Sequence, residues 1–279
     1  MSTMARVSRA YPCPICRKPD WCLVGKSVVM CMRVVSTRTK VLSDGSVAYV
    51  HSKDSSHPDV PVEFKSRKPA PVVTDFPGLL SQWARRLGDD VPSLYCSKLG
   101  LPTSAMGLLG AQRAPWPDTV AFPMRNGSNA IVGVRLRSGT GKKWAVKGSH
   151  QGLFIPQTDP STMAYLVEGP TNTAAALSMG VFAIGRPNNV GGVFDIQALI
   201  KNLKIKRVVI VADTDDDKIR DDGTHFNPGA DGACSLAEHL GIPNCTLLLP
   251  VKDMRDFVTL GGTNAMLNQL VAQCVWRKP

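Results

Sequence analysis

Short apolar runs alternate with helical segments in the second half of the chain. The apolar runs are rich in β-branched residues, and acidic residues occur where two of them end. Runs of this length predict buried strands of a parallel sheet, and the alternation predicts a βαβαβ unit followed by a fourth strand and a closing helix. The predicted strands occupy residues 165–169, 181–185, 207–212 and 246–249. The predicted helices occupy residues 171–179, 194–203 and 263–275, and a further helix follows residues 227–233 and runs through residue 240.

The middle of the chain predicts a small mixed α+β subdomain. Its elements are helices at residues 76–87 and 93–99 and strands at residues 119–124, 130–136 and 143–146. The Asn126-Gly127 dipeptide between the first two strands is typical of a tight hairpin. Side chains alternate along a strand, which places Arg135 and Arg137 on one face.

Four of the eight cysteines fall within the first 31 residues. Cys13 and Cys16 form a Cys-x-x-Cys pair whose sulfurs reach one tetrahedral zinc ion. Cys22 and Cys31 flank a predicted hairpin whose turn brings them together, and His51 is an alternative to Cys22 as a ligand. Clustered cysteines in a reducing compartment favour a metal over disulfides, so this region predicts a β module with structural zinc.

Composition divides the chain into four parts. One stretch is polar and rich in Pro, Lys and Ser, which is typical of an exposed linker. The predicted parts are a zinc-binding module at residues 1–51, a linker at 52–74, a basic subdomain at 75–160 and the parallel-sheet domain at 161–279.

The charge of the chain indicates its partner class. There are 33 Lys+Arg against 22 Asp+Glu, a net charge of +11, which favours nucleic acid. Trp21 lies among basic residues, an arrangement that suits stacking on a single-stranded base; the alternative is that Trp21 fills the core of the zinc module. No apolar run is long enough to span a membrane and no secretory signal is present. The expected location is the cytoplasm, or the host cytoplasm for a phage protein, with no membrane partner.

Three acidic residues are predicted to meet at one edge of the parallel sheet. Glu168 ends one strand, and Asp213 and Asp215 follow another. Chemistry in open α/β sheets gathers at the carboxyl ends of the strands, and residues two apart on an extended backbone point the same way. Converging carboxylates need a cation, and hard oxygen ligands suit Mg²⁺, with Mn²⁺ an equal fit. Such an ion would serve phosphoryl transfer.

At these positions the sequence resembles the Toprim domain of bacterial and phage primases, type IA and II topoisomerases and some nucleases. The resemblance covers residues 163–275 and rests on Glu168-Gly169 and on Asp213-x-Asp215 after an apolar strand. It implies a Toprim-like parallel sheet flanked by helices, with Glu168, Asp213 and Asp215 as catalytic metal ligands.

The preceding segment resembles the basic subdomain that comes before Toprim in bacterial replicative primases and phage primase–helicases. The resemblance lies in residues 132–137, 143–149 and 152–154. With the zinc module it completes the order of parts found in primases. The candidate residues for binding nucleotide or nucleic acid are Arg135, Arg137, Lys142, Lys143, Lys147, Lys252 and Trp21.

Primases also carry a Lys-Asp-x-x-Asp pattern just past the fourth strand, and residues 252–256 resemble it. The resemblance makes Asp253 a further candidate for the metal site and Lys252 a candidate for phosphate. The alternative is that Asp253 caps the helix that follows it.

Together these patterns predict a DNA primase, a nucleotidyltransferase that makes short primers on a single-stranded DNA template. RNA is the expected product, nucleoside triphosphates are the substrates, and a replicative helicase in trans is the expected partner. One alternative is a Toprim nuclease, which the zinc module and the basic subdomain disfavour. Another is a non-catalytic zinc-containing DNA-binding replication factor, which the acidic trio disfavours.

Overall fold

The computed structural model describes residues 4–42, 47–53, 74–188, 191–214, 218–219 and 225–278. The chain divides into two compact units, Met1–Pro71 and Val72–Pro279. Most of the predicted linker lies outside the described residues, and so does Asp215. No helix in the described part of the chain is long and apolar enough to cross a membrane.

The first unit is built on one antiparallel sheet in the order β1-β2-β3-β5-β4. Its strands are β1 (Ala5–Arg6), β2 (Leu23–Val24), β3 (Val28–Cys31), β4 (Thr39–Val41) and β5 (Val47–Ser52). The predicted hairpin is present as β2 and β3, with Leu23 opposite Met30. The small core of this unit consists of Val7, Val29 and three buried cysteines. A core this small supplies little folding energy, so cross-linking by a metal would matter here.

The second unit begins with helices and an antiparallel sheet in the order β6-β7-β8-β9. The elements are α1 (Phe76–Leu87), α2 (Ser93–Leu99), α3 (Thr103–Gly107), β6 (Gln112–Arg113), β7 (Thr119–Arg125), β8 (Ile131–Ser138) and β9 (Lys143–Ala145). The predicted helices and the predicted hairpin are all present, and α3 and β6 are additional. Leu80 and Trp83 of α1 pack against Val134 and Leu136, which fixes α1 on one face of the sheet. Arg135 and Arg137 alternate with these apolar residues and occupy the other face.

The rest of the second unit contains the parallel sheet, in the order β11-β10-β12-β15. Its elements are β10 (Met163–Glu168), α4 (Gly169–Ser178), β11 (Ala183–Arg186), α5 (Val193–Asn202), β12 (Arg207–Ala212), β13 (Lys218–Ile219), β14 (His225–Phe226), α6 (Pro228–His239), β15 (Asn244–Leu248), α7 (Met254–Thr259) and α8 (Asn264–Ala272). All four strands are parallel, as predicted. Two additions to the prediction are the ribbon β13–β14 and the short helix α7.

Helices cover both faces of the parallel sheet. On one face Val167 packs with Ala174 of α4 and Leu267 of α8. On the other face Leu166 packs with Ile196 of α5 and Leu236 of α6. Because both faces are buried, the strands read as continuous apolar runs, which is why the sequence reveals them.

The two sheets of the second unit are joined by specific contacts. Phe154 forms an antiparallel bridge with Gly185 of β11. A Cβ at Gly185 would lie 2.2 Å from the Thr173 hydroxyl oxygen, so this close approach requires glycine. The hairpin turn docks on α5, since Gly127 N–H donates to the Asp195 carboxylate (2.8 Å) and Asn202 donates to the Gly127 carbonyl (2.9 Å). These contacts therefore fix the position of the basic side chains of the antiparallel sheet relative to the acidic side chains of the parallel sheet.

Candidate active site and cysteine cluster

Glu168 and Asp213 lie on neighbouring strands at the carboxyl edge of the parallel sheet. Leu166 of β10 is in register with Ile210 of β12, and continuing that register sets Glu168 level with Ala212, one residue before Asp213. Glu168 keeps partial exposure to solvent. The register therefore sets these two residues at neighbouring positions on one edge of the sheet, and their shared metal binding stays a prediction.

Asn172 of α4 connects Asp213 to the loop before α7. Its side-chain amide donates to Asp213 Oδ1 (3.5 Å), and its Oδ1 accepts from the backbone N–H of Arg255 (3.3 Å). Thr214 N–H donates to the Lys252 carbonyl (2.7 Å), which ties the same two loops together. Asn172 is almost fully buried, at 5% exposure. Asn172 was not predicted from the sequence, although its place one helical turn beyond Glu168 is a usable signal.

The Asp253 side chain occupies a capping position. Its Oδ1 accepts from the backbone N–H of Asp256 (2.9 Å), and its Oδ2 lies 4.0 Å from the Arg255 guanidinium. The helix-cap alternative therefore describes its geometry. Among the described residues, no set of three acidic ligand atoms from Glu168, Asp213 and Asp253 falls within 4.8 Å. Asp253 stays a prediction as a metal ligand, as does Asp215.

A cationic cluster lies beside Glu168. Arg137 of β8 is directly opposite Lys143 of β9, and Arg135 shares their face. Burial lowers the pKa of Arg135 and of Arg137, while Glu168 acts on both in the opposite direction. The pKa of Lys143 is lowered first by the charge of Arg137 and then by burial. Like charges directly opposite each other in a sheet destabilise it unless an anion is present, so this face is suited to bind one.

Arg255, which the sequence analysis missed, contributes to the same field. Its positive charge lowers the pKa of both Arg137 and Lys143, after larger effects at each. Its guanidinium pairs with Asp256 (3.3 Å). Its place within the run at residues 252–256 was the available signal.

Arg137 also contacts the start of α4. Its Nη1 donates to the Thr171 hydroxyl (2.9 Å), and its Nη2 lies 3.4 Å from where a Cβ on Gly169 would stand. Gly169 has φ +73°, a left-handed conformation that glycine adopts without strain. A side chain at residue 169 would therefore strain the turn after Glu168, and it would contact the Arg137 guanidinium.

The remaining predicted binding residues are placed elsewhere around the basic sheet. The Lys142 amine lies 5.3 Å from the centre of the Trp144 ring, and Trp144 packs on the α1 side of the sheet. Lys147 is exposed, and its carbonyl accepts from the Thr74 hydroxyl (3.3 Å). Lys252 is exposed next to the Asp213 loop. The structure therefore brings Arg135, Arg137 and Lys143 together and leaves Lys142 on the opposite face.

One buried cation was not predicted. Arg186 ends β11 directly opposite Glu168 and is 1% exposed. Burial lowers its pKa, whereas Glu168 and Asp213 act to raise it. The guanidinium is thus inside the protein at the acidic edge.

The four N-terminal cysteines form one compact group. The ligand sulfurs of Cys13, Cys16, Cys22 and Cys31 all lie within 4.8 Å of one another. Hydrogen bonds with Cys22 and Cys31 lower the pKa of Cys13, whereas hydrogen bonds with Cys13 and Cys22 raise the pKa of Cys31. Thiols this close cannot all ionise by themselves, whereas a divalent ion at their centre would allow it. Four thiolates at this spacing fit a structural zinc ion.

Backbone N–H groups donate to the cysteine sulfurs, and His51 lies outside the cysteine group. The Cys31 sulfur accepts from the backbone N–H of Val34 (3.2 Å), and the Cys22 sulfur accepts from that of Met32 (3.4 Å). His51 Nε2 is instead 2.9 Å from the Val34 carbonyl oxygen. Cys22, and not His51, completes the set. Trp21 is 54% exposed, so it does not fill the core of the module.

Comparisons with known proteins identify the fold. Neither protein-family models nor curated proteins match the chain. A solved DnaG catalytic core matches with a TM-score of 0.55 at 16% identity, over 72% of this chain and 79% of that chain. The Escherichia coli primase catalytic core matches with a TM-score of 0.54 at 15% identity, over 71% of this chain and 79% of that chain. The chain has the fold of a DnaG primase core.

A third DnaG structure, described as a primase catalytic domain bound to single-stranded DNA, matches with a TM-score of 0.55 at 16% identity. The match covers 72% of this chain and 77% of that chain. The predicted fold class, a Toprim-like parallel sheet preceded by a basic α+β part, is confirmed. At identities of 15–16%, these structural matches establish the fold alone. The activity must be argued from the chemistry of the site.

Proposed function

We propose that this protein is a DNA primase, which joins nucleoside triphosphates into short primers on a single-stranded DNA template. The observation that supports the proposal best is the pairing of two features within the DnaG fold. Glu168 and Asp213 lie at the ends of neighbouring strands on the carboxyl edge of the parallel sheet, and the cluster of Arg135, Arg137 and Lys143 lies beside Glu168. Metal-dependent nucleotidyl transfer needs both an oxygen-ligand site and a positive surface for the triphosphate.

The acidic edge has the donor chemistry of a Mg²⁺ or Mn²⁺ site. Glu168, Asp213 and Asp215 are the proposed ligands, with Asp253 a further candidate. Hard carboxylate oxygens on one open edge leave room for water and phosphate oxygens. When bound, the ion would neutralise phosphate charge and lower the pKa of the primer hydroxyl.

The cationic cluster is proposed to hold the triphosphate of the incoming nucleotide. Arg137 is fixed by Thr171, so its guanidinium is already oriented when a phosphate arrives. Lys143 sits opposite Arg137 and is exposed, so it can reach an anion in solvent. Binding an anion would relieve the electrostatic repulsion between these two cations. That relief would strengthen the binding of the anion.

The N-terminal unit is proposed to bind zinc and to contact the template. The exposed Trp21 ring can stack on an unpaired base, and basic residues of the same unit can contact phosphates. A replicative helicase acting in trans and a cytoplasmic location belong to the same proposal. Primers are needed where a helicase exposes single-stranded template.

Primer synthesis is tested by incubating the protein with single-stranded DNA, Mg²⁺ and labelled nucleoside triphosphates. Short labelled oligomers are the expected product. A shortened template would instead indicate a nuclease, and a retarded but intact template would indicate binding only. Glu168→Gln is expected to reduce oligomer yield about 100-fold, the scale found when one charge-stabilising group is removed.

A matched control is Glu238→Gln, which makes the same chemical change on α6. Glu238 is exposed and lies 3.9 Å from Arg277, away from the acidic edge. Full yield is expected from this control. Undiminished oligomer synthesis by Glu168→Gln would refute the assignment of the acidic edge as the catalytic site.

A further inference from the structure

Arg186 differs from the other cations near the acidic edge because solvent does not reach it. At 1% exposure it is the bulkiest side chain below 2% exposure among the described residues. The cations of the basic sheet, such as Arg137 and Lys143, retain exposure and can meet a phosphate. A buried guanidinium cannot serve a substrate in solvent, so its partners must be groups of the protein itself.

The strand register identifies those partners. Glu168 of β10 and Arg186 of β11 are directly opposite each other on hydrogen-bonded parallel strands. Leu166 and Ile184, two residues earlier on each strand, pack together on the α5–α6 face of the sheet. Side chains two apart share a face, so Glu168 and Arg186 point to that same side, on strands about 4.8 Å apart.

Asp213 belongs to the same charge group. Both carboxylates act to raise the pKa of Arg186, against the larger lowering effect of burial. The acidic edge therefore supplies negative charge to this buried cation.

We propose that Arg186 is an internal counter-cation of the acidic edge, a positioning residue that holds Glu168 and Asp213 together before a metal binds and limits the positive charge that the site then accepts. The proposal rests on the metal site of the proposed function. In the metal-free protein Arg186 offsets the repulsion between the two carboxylates. With a divalent ion present, the same positive charge opposes the ion. Arg186 therefore makes the empty site more stable and its cation affinity lower than the carboxylates alone would give.

The test measures cation-dependent stability and needs no primer synthesis. Thermal unfolding of the full chain is followed at increasing Mg²⁺ for wild type, Arg186→Gln and Arg186→Lys. Arg186→Gln is expected to melt at a lower temperature without Mg²⁺, and to be half-stabilised at a Mg²⁺ concentration about tenfold lower than wild type. Arg186→Lys keeps the charge and is expected to retain an affinity near that of wild type.

Arg125→Gln is the matched control. Arg125 is a partly buried arginine whose pKa, like that of Arg186, is lowered by burial, but its Nη1 donates to the Asn129 carbonyl within its own hairpin (3.1 Å). Its Mg²⁺ response is expected to equal that of wild type. A Mg²⁺ response of Arg186→Gln that is no stronger than those of wild type and Arg125→Gln overturns the proposal.

A double variant covers the case in which Arg186→Gln does not fold. Glu168→Gln together with Arg186→Gln removes both charges of the pair at once. Recovery of folding in the double variant supports the proposal, because the fault of the single variant is then an unbalanced carboxylate. Equal failure of both variants shows that Arg186 is needed for packing alone and refutes it. Neither outcome depends on catalysis. A negative primer assay would refute the primase function, whereas only the unfolding experiments can refute the role of Arg186.

Discussion

Lys143→Met should make the protein more stable in the absence of anions and less able to gain stability from them. Lys143 is directly opposite Arg137 across β8 and β9, and Arg135 and Arg255 add further positive charge to its surroundings. Removing the ammonium relieves that repulsion while the methionine keeps the length of the side chain. The same removal deletes one of the proposed contacts to a triphosphate.

The size of the effect follows from Coulomb's law. Two unit charges about 6 Å apart repel by about 0.7 kcal/mol at a dielectric constant of 80, and by about 2.8 kcal/mol at 20. Lys143 is exposed, so solvent screening selects the lower end, about 0.7 kcal/mol. In a compact unit of roughly 200 residues such as Val72–Pro279, this raises the melting temperature by about 2 °C.

The assay is thermal unfolding at low ionic strength, with and without inorganic tripolyphosphate. Wild type should gain more stability from tripolyphosphate than Lys143→Met, because ligand binding to the folded state stabilises it. The pKa of Lys143 is lowered in the folded protein, so protonation disfavours folding at neutral pH. That cost is lost as the pH rises through the folded-state pKa. The stability gap between wild type and variant should therefore shrink as the pH approaches about 10.

Lys142→Met is the matched control, because it deletes an adjacent ammonium that lies over Trp144 on the other face of the sheet. It should show no gain in stability without anions and should respond to tripolyphosphate as wild type does. If Lys142→Met and Lys143→Met behave alike, or if tripolyphosphate stabilises Lys143→Met as much as wild type, the cluster does not bind phosphate as argued.

Three further predictions concern the other groups around the two sites. Asn172→Ala should lower primer yield about tenfold and raise the Mg²⁺ concentration needed for half-maximal yield, because Asp213 loses the amide that orients it; an unchanged Mg²⁺ requirement would reject this role. Zinc analysis should find one bound ion in wild type and in His51→Ala, and a strongly reduced zinc content in Cys22→Ser. A zinc content in Cys22→Ser equal to that of wild type would contradict the four-cysteine set. Asp253→Ala should lower the free energy of unfolding by about 1 kcal/mol in denaturant titration through loss of the α7 cap, whereas Asp253→Asn should keep most of that stability. Equal losses from both Asp253 variants would point to a role for the charge beyond the cap.

Local patterns carried much of the prediction. The strands β10 and β12 are continuous apolar runs because both of their faces are covered by helices, so burial alone revealed them. The position of Glu168 and Asp213 at one edge of the sheet was predictable because the carboxyl ends of parallel strands share an edge. The Cys-x-x-Cys spacing and the hairpin after Cys22 predicted the cysteine cluster without any knowledge of its packing. Each of these signals is contained within a few neighbouring residues or in a rule that holds for every parallel sheet.

Other features depended on contacts between distant parts of the chain. Arg186 is a single arginine after a short strand, and only the pairing of β11 with β10 sets it opposite Glu168. Asn172 and Arg255 are 83 residues apart and meet through one hydrogen bond at the acidic edge. The sequence by itself thus determined which strands, helices and ligand types this protein has, because those follow from local periodicity and spacing. Tertiary structure alone decided which charges face one another, because that depends on strand register and on how the two sheets dock.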